Sequence, residues 1–367
     1  MNTLIAKALR RPGNLTRPEI AELLDRSDPT ELFRAAYGVK LRYTGRMVFL
    51  RGIIEFGNYC AKDCFYCGIR RSNREVKRYC LSEDDIVRMA VWAFEQRYGS
   101  IVLQSGELES EENTAFVERV LQKIRVVTDG KFGITLSLGE QDEETFRRWR
   151  EAGAHRYLLR IETSNPEFYA RLHPPDHSFL RRVECLRVLK RLGYQTGSGV
   201  MIGLPGQTLD DLAGDVAFFR ELDLDMIGMG PYIPHRQTPL GQGIEVTPAY
   251  AAAQLQLGLK MIAVTRLYLH DVNIAATTAL QALDDRGREQ GLLAGANVIM
   301  PNVTDTEYRA DYQLYENKPC LDENAAQCRT CLNGRITGIG EHIGWKYRGD
   351  PVHFRQRVGE AVIRQTK

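Results

Sequence analysis

The chain has no long apolar run. None of its 367 residues falls in a stretch approaching the roughly 18 uncharged apolar residues that span a bilayer, so no membrane-crossing helix is expected. The opening, MNTLIAKALRRPGNLTR, has no apolar core followed by a cleavage site, so no signal peptide is expected and the cytoplasm is the expected compartment. Net charge is also scarce, only +2, which gives no case for a nucleic-acid partner. The basic run IRRSNREVKR reads as solvated surface. Eight cysteines in a chain this long are too few for a disulfide framework. No G-x-G-x-x-G turn follows the first strand-like run, so the dinucleotide-binding fingerprint is missing. No internal repeat or low-complexity tract is visible.

What is present is an ordinary globular composition, 43% hydrophobic and 26% charged, with a regular alternation. After a helical stretch over 1–47 come eight strand-like segments: VFLRGIIEF, SIVLQSG, FGITLSL, RYLLRIET, YQTGSGVMI, DMIGMGPYI, NIAATTA and ANVIMPN. Amphipathic helical stretches such as SEDDIVRMAVWAFEQR and FLRRVECLRVLKRLG lie between them. Strands apolar through much of their length belong to a parallel sheet covered by helices, and eight such units predict a closed (β/α)8 TIM-type barrel over 48–316. The alternative is an open, doubly wound sheet. Residues 317–367 form a C-terminal extension. Polar residues gather where strands end, the rim at which barrel active sites lie.

Six cysteines fall in two clusters. Cys60, Cys64 and Cys67 make a C-x3-C-x2-C loop directly after the first strand. Three thiolates on one short loop can hold three irons of a [4Fe-4S] cluster and leave the fourth open for a small molecule. Zinc is the alternative, but it needs a fourth ligand and no His lies between residues 50 and 80. Tyr66 either shields such a cluster or simply fills the barrel mouth. Cys320, Cys328 and Cys331 make a C-x7-C-x2-C set that suits a second iron–sulfur cluster, or zinc. Cys185 reads as a buried helix residue.

CAKDCFYC resembles the signature of the radical S-adenosylmethionine (SAM) superfamily. The resemblance implies that the open iron chelates SAM through its amino and carboxylate groups. It also implies that an electron from the cluster splits the sulfonium, giving a 5′-deoxyadenosyl radical. Gly106–Glu107, after the second strand, looks like the family's motif near the SAM amino end. The further motifs VLQSGE, TLSLGE, YLLRIETSNP, MIGLPGQT, GMGPYIPHRQTPL, AATTAL, GANVIMPN and YQLY, over about 50–331, resemble the HydE family of [FeFe]-hydrogenase maturases. Biotin synthase and methylornithine synthase are relatives that share the cysteine loop.

SAM needs a cation for its carboxylate and an acceptor for its ammonium or hydroxyls. Arg suits the first because its planar fork meets a carboxylate bidentately. By resemblance Glu162 and Arg182 are SAM contacts; an exposed helix charge is the plain alternative for Arg182. Gln104 and Thr135 are further strand-end candidates for cofactor binding. Arg160 and Glu162, two apart on a strand, face the same way, either as a strand-fastening ion pair or as the wall of a polar chamber in which Arg160 holds an anionic substrate group. Ile161, where the family commonly has His, is expected to point toward the helices. By resemblance Thr277 and Thr278 form the substrate-side wall, although strand alternation turns only one of them inward. Tyr312 and Tyr315, three apart and so on one side of a helical turn, reach the substrate by resemblance; packing of tail on barrel is the alternative. Met300 reads as packing and His235 as turn capping at least as readily as site residues.

The resemblance implies a radical SAM enzyme acting on an organometallic substrate, a cysteine-ligated iron with CO and cyanide supplied by a partner maturase. It further implies an electron donor and other hydrogenase maturation proteins as partners. The auxiliary cluster is not required by all members. Alternatives are a radical SAM enzyme acting on an amino acid, a non-catalytic iron–sulfur scaffold or electron carrier, and a zinc-binding interaction module.

Overall fold

A computed structural model describes residues 2–365, with side chains to residue 359. Eleven strands run β1 (Met47–Gly57), β2 (Ser100–Ser105), β3 (Gly133–Ser137), β4 (Arg156–Leu158), β5 (Gln195–Ser198), β6 (Met201–Ile202), β7 (Met226–Ile227), β8 (Gly230–Pro231), β9 (Asn273–Ile274), β10 (Val298–Ile299) and β11 (His342–Ile343). All pairings between them are parallel, in the order β10-β1-β2-β3-β4-β5-β7-β9, with β6 beside β8 as continuations of β5 and β7. The ring closes where Ala275 bridges Val298, with Asn297 N–H donating to the Ile274 carbonyl and Ala276 N–H to that of Val298, both at 2.9 Å. The expected eight-unit barrel is therefore present. Each strand-like segment of the sequence contributes one stave.

The helices form where capping residues meet amphipathic stretches. Ser82, Ser110, Asp142, Ser178 and Thr208 each accept a backbone N–H of the first turn that follows. Before the barrel, Thr3–Arg10, Arg17–Asp25 and Thr30–Thr44 pack largely against the helices Leu209–Glu221 and Pro248–Leu269. Thr16 and Glu19 form a capping box with Pro18 in the first turn. One continuous apolar cluster runs from Ile5 through the barrel to Ile343. Lys40 and Glu341, both fully buried and 2.8 Å apart, tie the third helix to the residue before β11.

The two ends of the barrel differ. At the N-terminal end of the strands, β11 adds to β1 and the following loop stops the opening. There the fully buried Arg156 donates to Asp350 Oδ1 at 2.5 Å and to the Arg348 carbonyl at 2.7 Å. Asn273 Nδ2 donates to the Gly349 carbonyl at 2.7 Å, and Gln195 Nε2 to Asp350 at 2.7 Å. The C-terminal end holds a chamber. Among the described residues no helix is long and apolar enough to cross a membrane.

Candidate active site

β1 ends at Gly57 and releases the cysteine loop over the C-terminal rim. The buried Asn58 anchors it, donating to the Lys77 and Asp311 carbonyls at 2.8 and 2.7 Å and accepting from Tyr79 N–H. Ala61 N–H donates to the Glu107 carbonyl at 2.8 Å, and Glu107 N–H points at Cys60 Sγ, 3.4 Å away. Cys60, Cys64 and Cys67 all line one cavity of about 310 Å³. Burial raises all three thiols, Cys64 up to about 12, so ligation by a metal is what would remove their protons. Tyr66 also lines the cavity. His173 Nδ1 faces the Tyr169 carbonyl, which fixes its Nε2 as the acceptor for the Tyr66 hydroxyl at 3.0 Å.

The turn after β2 lies directly on this loop. A Cβ at Gly106 would sit 2.1 Å from the Tyr59 carbonyl oxygen, so only glycine permits the approach. Glu107 and Glu140 are buried side by side. Lys62 Nζ lies 3.1 Å from each, and Arg182 Nε lies 2.9 Å from Glu140 and its Nη2 3.6 Å from Glu107. Burial works against the charge on Arg182, yet these carboxylates hold it well above its usual range. Arg182 is thus an interior cation, not an exposed helix charge. Arg160 Nη2 lies 2.9 Å from Glu162 Oε2, and burial raises the Glu162 carboxyl despite that pairing.

Strand geometry was expected to aim both side chains inward, but β4 ends at Leu158. Glu162 instead takes a left-handed turn at φ 64°, held by backbone bonds to Gly199 and Met201. Arg160 and Glu162 do share the chamber wall, while Ile161 packs in the apolar core.

Gln104, Thr277, Thr278, Met300, Tyr312 and Tyr315 line the same chamber. Both threonines face it because β9 stops at Ile274 and Thr277 already caps a helix, so alternation no longer applies. Gln104 Nε2 donates to the Tyr312 hydroxyl at 3.3 Å, and the Tyr315 and Thr278 hydroxyls are 2.8 Å apart. The expected helical turn at YQLY is absent. The segment is a strap without regular structure, and Asn317 and Cys320 adopt positive φ on either side of Pro319. Thr135 lies elsewhere, in a small void beneath the chamber with Arg51 and Met226. His235 stands behind the wall and caps a turn, accepting from Gln237 N–H at Nδ1 and from the Thr238 hydroxyl at its carbonyl. Sequence reasoning missed Lys62, Glu140, Glu55 and Lys318. The last two pair at 2.5 Å beside Tyr312.

Arg160 Nε and Thr277 Oγ1 are buried without a polar partner, while Glu107, Glu162 and Arg182 meet theirs as ion pairs inside the chamber wall. A free guanidinium N–H, a free hydroxyl and buried charges of both signs around one cavity suit a ligand that carries carboxylate, ammonium and hydroxyl groups together.

The second cysteine set is only partly gathered. Cys320, Cys328 and Glu323 bring their ligand atoms within 4.8 Å of one another. Cys331, one turn along the helix Ala325–Gly338 from Cys328, is exposed and outside that group.

The Radical SAM superfamily signature matches residues 54–219. The [FeFe] hydrogenase maturase subunit HydE of Thermotoga maritima is 43% identical over 363 residues, 98% of this chain and 99% of its own. The chain belongs to the HydE family of radical SAM enzymes. Radical SAM membership carries a [4Fe-4S] cluster and SAM as cofactors. The HydE-family chain is also similar to the 3-methylornithine synthase of Methanosarcina barkeri, 30% identical over 77% of each chain. Crystal structures of methylornithine synthase and of the maturase HydG from Carboxydothermus hydrogenoformans each superpose with a TM-score of 0.77. They are 24% and 21% identical, cover 94% and 93% of this chain and 98% and 78% of their own, and so speak for the fold alone.

Proposed function

We propose that this enzyme acts in [FeFe]-hydrogenase maturation on a cysteine-ligated iron complex with CO and cyanide, passed on by a partner maturase. The observation that carries this reading is the convergence of three loop cysteines, the Gly106–Glu107 turn, Arg160 and the Tyr312–Tyr315 strap on one chamber. Cys60, Cys64 and Cys67 hold the [4Fe-4S] cluster. When bound, that cluster supplies one electron that splits SAM into methionine and a 5′-deoxyadenosyl radical.

The residues of this chain do the placing. Gly106, Glu107, Gln104 and Glu162 bind the SAM side. Arg182, held at 2.9 Å by Glu140, meets the SAM carboxylate. Thr135 supports that side from below. Arg160 keeps one buried donor, Nε, free for an anionic group of the substrate. Thr277, Thr278, Tyr312 and Tyr315 fix the substrate against the radical and keep water away. Cys320, Cys328 and Cys331 form an auxiliary cluster site, for which the proximity of Cys320 and Cys328 speaks. Partners are an electron donor and other maturation proteins, in the cytoplasm.

A second reading, a radical SAM enzyme acting on an amino acid, draws on the same Arg160 fork, which fits a substrate carboxylate equally well. Anaerobic reconstitution with and without the iron complex separates the two. The first reading expects 5′-deoxyadenosine whose formation is coupled to consumption of the complex. Turnover of a free amino acid with the complex untouched favours the second. Cys64→Ala is expected to abolish reductive SAM cleavage, and retained cleavage would refute the cluster assignment. Iron and sulfide counts in the Cys328→Ala/Cys331→Ala protein are expected to fall relative to the parent, and unchanged counts would remove the auxiliary site.

A further inference from the structure

Between Cys60 and Cys64 the loop sends the Lys62 side chain into the chamber wall. Asp63 turns away and pairs with Arg70 at 2.8 Å. Lys62 turns in and divides its charge equally between Glu107 Oε1 and Glu140 Oε2. On the far side Arg182 meets the same two carboxylates. The four charges alternate in a closed ring: two cations, two anions, net zero. Lys62 is 15% exposed, Arg182 10%, Glu107 7% and Glu140 1%. Arg181 touches the ring from the rim, at 3.5 Å from Glu140, while pairing mainly with Glu109.

The members come from the loops after β1, β2 and β3 and from the helix Phe179–Arg191 that follows β4. They are four consecutive units of the barrel. The third echoes the second in sequence, SGE at 105–107 and LGE at 138–140. Gly139, at φ 78°, lets Glu107 lie across it; a Cβ there would be 2.1 Å from Glu107 Oε2.

We infer that Lys62 and Glu140 are positioning residues whose charges close a neutral ring that seats the cysteine loop on the SAM subsite. This inference rests on the reading that Cys60, Cys64 and Cys67 carry the cluster. Buried charges hold position only while compensated, and removing one partner leaves the rest to rearrange. Lys62 has a proposed cluster ligand two residues before it and another two residues after it. Its displacement therefore carries both sulfurs. Glu140 acts through Lys62 and Arg182, with Arg181 a more distant contact at 3.5 Å.

The test is a pair of variants with opposite charge effects, measured on anaerobically reconstituted protein by redox titration and by equilibrium dialysis of SAM. Lys62→Met removes a positive charge from beside the cluster and should make its potential more negative. Glu140→Gln removes a negative charge and should make it more positive. Both variants should bind SAM at least about tenfold more weakly, because both open the ring. Lys62→Arg should restore potential and affinity together. A purely structural role would lower melting temperature and iron content and would not split the potentials in opposite directions. Potentials that stay at the parent value, or move the same way in both variants, overturn the inference, as does parental SAM affinity in both. If Lys62→Met does not fold, Glu140→Gln and Lys62→Arg decide alone: a raised potential in the first with a parental one in the second supports the ring. A parent that binds neither iron nor SAM refutes the cluster reading instead.

Discussion

Replacing Lys318 with Met should loosen the strap over the chamber without unfolding the barrel. Lys318 and Glu55 are 9% and 5% exposed, with Nζ 2.5 Å from Oε1. Nζ also donates to the Tyr312 carbonyl at 3.0 Å and stands 5.2 Å over the Tyr312 ring. Among the described residues the Glu55 carboxylate has one other hydrogen-bond partner, Asn302 Nδ2 at 2.9 Å. Losing one member of such a buried pair costs about 3–5 kcal/mol because the other charge stays dry and unmatched. The strap can lift and let water reach Glu55, so the cost appears as local opening. At about 1.36 kcal/mol per decade, 3 kcal/mol is a little over two decades in the opening equilibrium.

Limited proteolysis, with closing fast relative to cleavage, should then nick the segment 310–328 about 100-fold faster in Lys318→Met. The urea midpoint of the barrel should scarcely move. Adding Glu55→Gln removes the stranded charge and should recover about 2 kcal/mol, a coupling readable from the double-mutant cycle. Single effects that add to within about 0.5 kcal/mol, or a nicking rate unchanged in Lys318→Met, would refute the reasoning.

The hydroxyls of Tyr312 and Tyr315 bond Gln104 and Thr278, so the double Phe variant should lose about 1 kcal/mol per bond. Product formation should fall while SAM cleavage without substrate persists; equal loss of both would contradict a substrate-side role. Stability should also fall on the alkaline side. Although burial opposes its charge, His353 is held up to about 9 by Asp223 at 2.7 Å and Asp271 at 3.4 Å. Its folded value lies above the unfolded one. Its contribution is therefore complete below about pH 6.5 and lost as pH rises through about 9, where His353→Gln should melt like the parent. With Asp223 half exposed, screening limits the effect to about 1–2 kcal/mol.

The barrel was legible because parallel strands covered on both faces announce themselves as apolar runs, and each of the eight runs became a stave. The cysteine loop was legible because its spacing is local. What escaped is what joins distant residues. Glu140 lies 78 positions from Lys62, and Lys318 lies 263 from Glu55, separations at which no pattern in the chain marks a pair. The helical turn at Tyr312–Tyr315 failed because a spacing of three is compatible with any segment whose neighbours fix it. Here hydrogen bonds from Gly68 N–H to the Leu314 carbonyl and from Asn58 to that of Asp311 hold an irregular path. Alternation at Thr277–Thr278 failed because the strand is only two residues long.

The Arg156–Asp350 seal makes the barrel a cul-de-sac. Anything that comes to rest at depth must arrive before whatever settles above it, and it departs only after that layer has gone. Traffic from the C-terminal rim is then sequential, past the Tyr312–Lys318 crossing that lines it.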